Sequence, residues 1–306
     1  MDALREHREA GASMVTLNVA DAGVTLEAAL RTIASYRAQI AAHERDVLLV
    51  QVADDIERAR ASGRLGLCFD VEGAFSLGEQ IDAVRLLYDV GVRWMSFAYN
   101  CRNAFGFGCH DERDEGLTPL GRRLVTTMDE IGMIKCCSHA GYVTARDVFE
   151  RSAKPCILSH SNPLALVAHP RNVPDDVMRA LAQTGGVMGI TGVGLFLGAR
   201  APSADEVFAH IDYAVSLIGA EHVGIGLDSV IGRGFDIDAY VADRSYWPAG
   251  FGYEEPVTIL GPSVLAGLRE KMDDAGYPDA AIRGILGENF LRVARAVWRA
   301  PSFARQ

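Results

Sequence analysis

Short apolar runs alternate along the chain with stretches in which apolar residues recur at helical spacing. The runs at 13–19, 65–72, 92–99, 133–139, 156–160, 186–190 and 222–228 are mostly continuously apolar rather than alternating. Strands covered on both faces read this way, as in a parallel sheet. A further run, 47–52, reads either as a short strand or as the end of a helix. Leu26, Leu30, Ile33, Tyr36 and Ile40 share one face of a helix predicted over 25–43, and Ile81, Val84, Leu87 and Tyr88 mark the next. Thr118 followed by Pro119 is an N-cap with proline at the first helical position; Leu120, Leu124, Met128 and Ile131 follow, and Gly132 stops the helix. Further helices are predicted over 172–182 with Asn172 as its cap, over 204–218, over 263–275, and over 279–298 with an interruption near Gly287.

Strand–helix alternation of this kind predicts an α/β fold. Seven parallel-type strands fit an open doubly wound sheet or most of a (β/α)8 TIM-type barrel. A dinucleotide fold needs GxGxxG directly after its first strand, and none is there; a P-loop and a GxSxG elbow are also missing. At about 150 residues per domain, 306 residues suggest two domains, yet single α/β barrels run to about 250 residues. No low-complexity linker divides the chain, so one barrel domain over 1–306 is expected.

Composition narrows the function classes. With 30 Lys+Arg against 40 Asp+Glu, the formal net charge is −10, which argues against binding nucleic acid or an anionic membrane surface. No apolar run reaches the roughly 18 residues of a membrane-spanning helix. The opening MDALREHREAG is charged and lacks the apolar core of a secretory leader, so a cytoplasmic location is expected. The six cysteines, at 68, 101, 109, 136, 137 and 156, form no paired CxxC pattern and read as reduced, buried thiols.

Residues able to do chemistry collect at the C-terminal ends of the runs: Glu72, Tyr99, His139, His160 and Asp228. In a barrel those ends open onto one face, where active sites lie. Imidazole and carboxylate are zinc ligands, and a bound metal of this kind activates water near neutral pH. The pattern therefore points to a metal-assisted hydrolase. Each residue also has a plainer alternative. Either histidine fits a hydrogen-bonded structural role, Asp228 fits a helix cap, and Tyr99 fits the core. Arg171, in the HPRN segment after His160, fits a substrate carboxylate or a surface role equally well.

Several segments resemble the membrane dipeptidase (renal dipeptidase) family of metallopeptidases, in its bacterial branch. They are FDVEGA at 69–74, GVRWMSFAYNCRN at 91–103, GLTPLGRRLV at 116–125, SHAGY at 138–142, KPCILSHSNPLAL at 154–166, HPRNVPDD at 169–176, EHVGIGLD at 221–228 and ILGENFLRV at 285–293. The resemblance implies a (β/α)8 barrel that cleaves dipeptides with zinc. It implies Glu72 as a carboxylate bridging two zinc ions, with His139 and His160 as the histidine ligands of one of them. Arg171 would bind the substrate's C-terminal carboxylate, and Asp228 would handle the protons. Tyr99 stands where the animal enzymes have a substrate-contacting histidine.

The family's first strand carries a His-x-Asp pair for the other metal. No such pair precedes residue 13, and the run at 13–19 aligns with the family's second strand. A chain starting late, an altered first strand and a natural one-metal site all fit this, so one or two zinc ions are expected. The rival readings are a dipeptidase-like binding scaffold without turnover and another amide or lactam hydrolase on the same barrel. A barrel lacking a strand leaves an open edge, so a homodimer is a further expectation.

Overall fold

A computed structural model describes residues 2–230 and 236–302. Its internal contacts define two units. One comprises Gly11–Cys156 with the chain from Leu291 onward; the other comprises the N-terminal segment through Ala10 with Ile157–Phe290.

The first unit is built on five parallel strands: β1 (Met14–Ala20), β2 (Val47–Leu49), β3 (Leu65–Val71), β4 (Val92–Ser96) and β5 (Ile134–Cys136). Their order is β1-β3-β4-β5, with the short β2 paired to the start of β3. All of β3 is buried, which explains its unbroken apolar reading. Its one carboxylate, Asp70, accepts a 3.1 Å hydrogen bond from Asn18 on β1, so the buried polar group is satisfied. Helices cover the strands. Thr25 caps Leu26–Ala42 through the Ala28 N–H, and Thr118 caps Pro119–Ile131 through the Gly121 N–H. The latter helix ends at Gly132, whose φ of 92° suits glycine. Lys135, buried within β5, pairs with Asp129.

The second unit carries β6 (Ile157–Ser161), β7 (Val187–Ile190) and β8 (Val223–Ile225), again parallel and in the order β6-β7-β8. Gly189 and Gly226 lie against the Ser159 carbonyl, where a Cβ would come within 2.2 and 1.8 Å of its oxygen. Only glycine lets the chain pass there. Helix Ala204–Ile218 opens with a capping box from Ser203 and Glu206. Helices Asp279–Arg283 and Asn289–Val297 flank a wide turn at Gly284–Glu288, and Gly287, with φ 156°, marks the predicted interruption.

Several expectations change. The ambiguous run at 47–52 is a strand, but only over Val47–Leu49. Asn172 does not cap the following helix, which starts at Asp175 behind Pro174. Its side chain is buried and donates to the Val167 and Phe196 carbonyls, both at 2.9 Å. Cys101 and Cys109 are only partly buried, whereas the other four cysteines are buried as expected; none of the six is in a disulfide. Helices Asp54–Ala61 and Tyr142–Arg151 were not foreseen. Each packs only a few buried residues, too few to write a clear apolar stripe. Among the described residues no helix is long and apolar enough to cross a membrane.

Candidate metal and substrate site

The sequence placed its candidate residues at strand ends, and most lie just beyond them. β4 stops at Ser96, β5 at Cys136 and β8 at Ile225. Tyr99, His139 and Asp228 follow outside the strands, Glu72 comes directly after β3, and only His160 lies inside a strand. His139 and Asp228 adopt positive φ, 69° and 62°, as does Asn100 at 57°. Such backbone is costly for residues other than glycine, Asn and Asp, and it concentrates where function fixes a side chain.

In the first unit, Glu72, Tyr99, Asn100 and His139 come together. The Glu72 Oε2 lies 3.8 Å from His139 Nε2. That separation is beyond hydrogen-bonding range. The other ring nitrogen of His139, Nδ1, is 2.7 Å from the Asn100 Oδ1. The Tyr99 ring stacks on the His139 ring at 4.1 Å between centroids and 20° between planes. The segment 108–110 clamps both backbones: Cys109 N–H donates to the His139 carbonyl, and His110 N–H to the Asn100 carbonyl, each at 2.8 Å. Gly108 makes this approach possible, since a Cβ there would lie 2.1 Å from the Asn100 carbonyl carbon and oxygen.

A rigid backbone collision of that kind has a measurable cost. Gly108→Ala is expected to destabilise the protein by about 3 kcal/mol, the upper end for overpacking. A lower midpoint in urea unfolding, with unchanged slope, would show it. A midpoint equal to that of the parent protein would mean that the 108–110 clamp is loose.

In the second unit, His160, Arg171 and Asp228 form the other cluster. His160 is buried, and its Nδ1 lies 2.9 Å from the Ser159 hydroxyl. Burial pushes its pKa down to about 4; the Asp228 charge opposes this and the Arg171 charge adds to it. The ring is therefore neutral at pH 7, the form in which imidazole ligates metal. Arg171 is buried as well. Its guanidinium sits 5.2 Å over the Phe196 ring, and its Nη2 is 3.5 Å from the His160 carbonyl. Asp228 is exposed. No helix begins within the two described residues after it, so the helix-cap alternative for Asp228 finds no support there.

Two residues of these clusters carried no role in the sequence reading. Asn100 is one; its signal was its place directly after Tyr99, since Asn tolerates left-handed backbone. His169 is the other. Its Nδ1 accepts the Arg171 backbone N–H at 3.1 Å, and its Nε2–H donates to the Phe251 carbonyl at 3.0 Å. Phe196, Phe251 and Tyr253 surround the ring. His169 thereby ties the HPRN segment to the later loop, which also contains the short helix Ile237–Val241.

Dipeptidase aclJ of Aspergillus oryzae (strain ATCC 42149 / RIB 40) is 32% identical over 236 residues, covering 76% of this chain. The aligned region is 51% of that relative, so the chain spans about half its length. An amidohydrolase from Pseudomonas aeruginosa superposes with a TM-score of 0.89 at 27% identity, over 97% of this chain and 92% of that one. A Rhodobacter sphaeroides metallo peptidase, solved with a phosphinate mimic of L-Ala-D-Ala, has the same fold, with a TM-score of 0.79 at 21% identity over 96% of this chain and 90% of that one. The expected TIM-type α/β class holds. Residues 6–236 match the family described as membrane dipeptidase, peptidase family M19, and the chain belongs to that family.

Proposed function

We propose that the protein is a zinc-dependent dipeptidase, cleaving dipeptides that carry a free C-terminal carboxylate. Glu72, His139 and His160 would hold the metal, each offering one ligand atom. The observation that carries this reading is the Glu72–His139 pair. The two groups approach to 3.8 Å, too far for a hydrogen bond between them, and a carboxylate and an imidazole so placed are the donor types that would hold zinc. The desolvated, neutral His160 suits the same task. Two imidazoles and one carboxylate are also the protein ligands of known catalytic zinc sites that keep a position open. When bound there, zinc would supply a Lewis acid that polarises the peptide carbonyl and brings the pKa of water to about 7.

The remaining steps belong to the chain's own side chains. The Arg171 guanidinium, buried and permanently charged, would anchor the substrate carboxylate through paired N–H donors. The Tyr99 hydroxyl, held by the stack on His139, would donate to the oxyanion that develops as water adds to the carbonyl. Asp228 would accept the proton released by that water and pass it to the amine nitrogen as the C–N bond breaks, leaving two amino acids.

Dialysis against a chelator is expected to abolish hydrolysis of a dipeptide library, and added zinc to restore it. Arg171→Ala is expected to lower kcat/KM for free dipeptides about 100-fold, the cost of leaving a buried carboxylate without its partner. The same variant should act on dipeptide amides as the parent protein does. Equal losses on both substrate sets would reject the anchor. Activity indifferent to chelation would reject the metal-dependent reading.

A further inference from the structure

We propose that Asn100 is a positioning residue: it fixes the tautomer of His139 and aims its Nε2 lone pair towards Glu72. This rests on the metal-dependent reading above and extends it to a residue outside the proposed ligand set.

The chemistry of the contact sets the direction. A neutral imidazole has one N–H, and an amide oxygen only accepts. With Asn100 Oδ1 at 2.7 Å from His139 Nδ1, the proton sits on Nδ1 and the lone pair is left on Nε2. Nε2 is the nitrogen that lies 3.8 Å from the Glu72 carboxylate. The Cys109 thiol, 3.5 Å away, also donates to the same Oδ1. A partner of this type orients a ligating histidine and raises its basicity.

The amide is held firmly enough for this task. Asn100 is fully buried, and its φ of 57° lies in a region that Asn tolerates better than most residues. Its carbonyl accepts the His110 N–H, while Gly108 packs directly on its backbone. The histidine is held from its own side by the Cys109 N–H on its carbonyl and by the Tyr99 ring on its face. Two adjoining turns with left-handed residues thus meet through one side-chain hydrogen bond.

The test compares Asn100→Gly, which keeps the backbone freedom but removes the acceptor, with Asn100→Asp, which keeps an acceptor oxygen. Zinc affinity is measured on chelator-stripped protein by competition with a chromophoric chelator. The His139 tautomer is read in the metal-free protein by long-range 1H–15N NMR. Asn100→Gly is expected to weaken zinc binding roughly 10–100-fold and to mix the tautomers. Asn100→Asp is expected to retain Nδ1–H and to bind zinc within about threefold of the parent protein.

Wild-type affinity in Asn100→Gly, or a proton on Nε2 in the metal-free parent, would overturn the proposal. So would a tenfold loss in Asn100→Asp, which also decides the matter if the glycine variant does not fold. If the parent protein binds no zinc, the metal-dependent reading falls on its own, and the tautomer comparison still decides what Asn100 does.

Discussion

His160→Ala is expected to leave the protein folded, strip its zinc and lower kcat/KM for dipeptides by about 10⁴-fold. The size follows from what the metal contributes: several kcal/mol of transition-state stabilisation, at about 1.4 kcal/mol per factor of ten. The fold should survive, because His160 is a buried, neutral ring whose Nδ1 partner, Ser159, is its immediate neighbour in sequence. The variant removes one of three proposed ligands and leaves the Glu72–His139 approach unaltered. Metal content by elemental analysis and activity should fall together, with the circular dichroism spectrum unchanged. A folded variant that has lost zinc but keeps parental turnover would remove metal from the reaction. One that keeps both would remove His160 from the site.

The strands were legible because burial on both faces leaves its mark as an apolar run, and β3 is buried throughout. The candidate ligands were legible because each lies at or just past the end of such a run. What the sequence could not show is how the chain leaves the strand. The left-handed backbone at His139 is held by a tertiary contact, the Cys109 N–H on its carbonyl, which no local pattern encodes. Asn100 was passed over for the same reason: its partner lies 39 positions away. Asn172 was misread because Asn before a helix is usually a cap, whereas here burial forced its amide to satisfy two carbonyls. The short polar helices left too few apolar positions to register.

His169 and His210 should make the protein sensitive to mild acid. Both rings are buried. Burial pushes each pKa down to about 4; the hydrogen bonds to the Phe251 and Leu197 carbonyls oppose this, and the Arg171 charge adds to it at His169. In the unfolded chain each would titrate near 6.5. Between those values the unfolded state binds more protons than the folded one, so stability is complete above about pH 6.5 and is lost as the pH falls towards 4. Each group contributes about 1.4 kcal/mol per pH unit across that window, or on the order of 7 kcal/mol for the pair. In the metal-free protein His160, whose pKa burial also pushes down to about 4, adds a third contribution of the same sign. Protonating His169 would also cost the hydrogen bond that its Nδ1 accepts from the Arg171 backbone, so the HPRN segment should loosen first. Urea unfolding of the metal-free protein at several pH values between 6.5 and 5 reads the slope before most carboxylates protonate. His210→Leu is expected to reduce that slope by about 1 kcal/mol per pH unit over this window. A slope that does not change in the variant would show that His210 is already free to take up its proton in the folded protein.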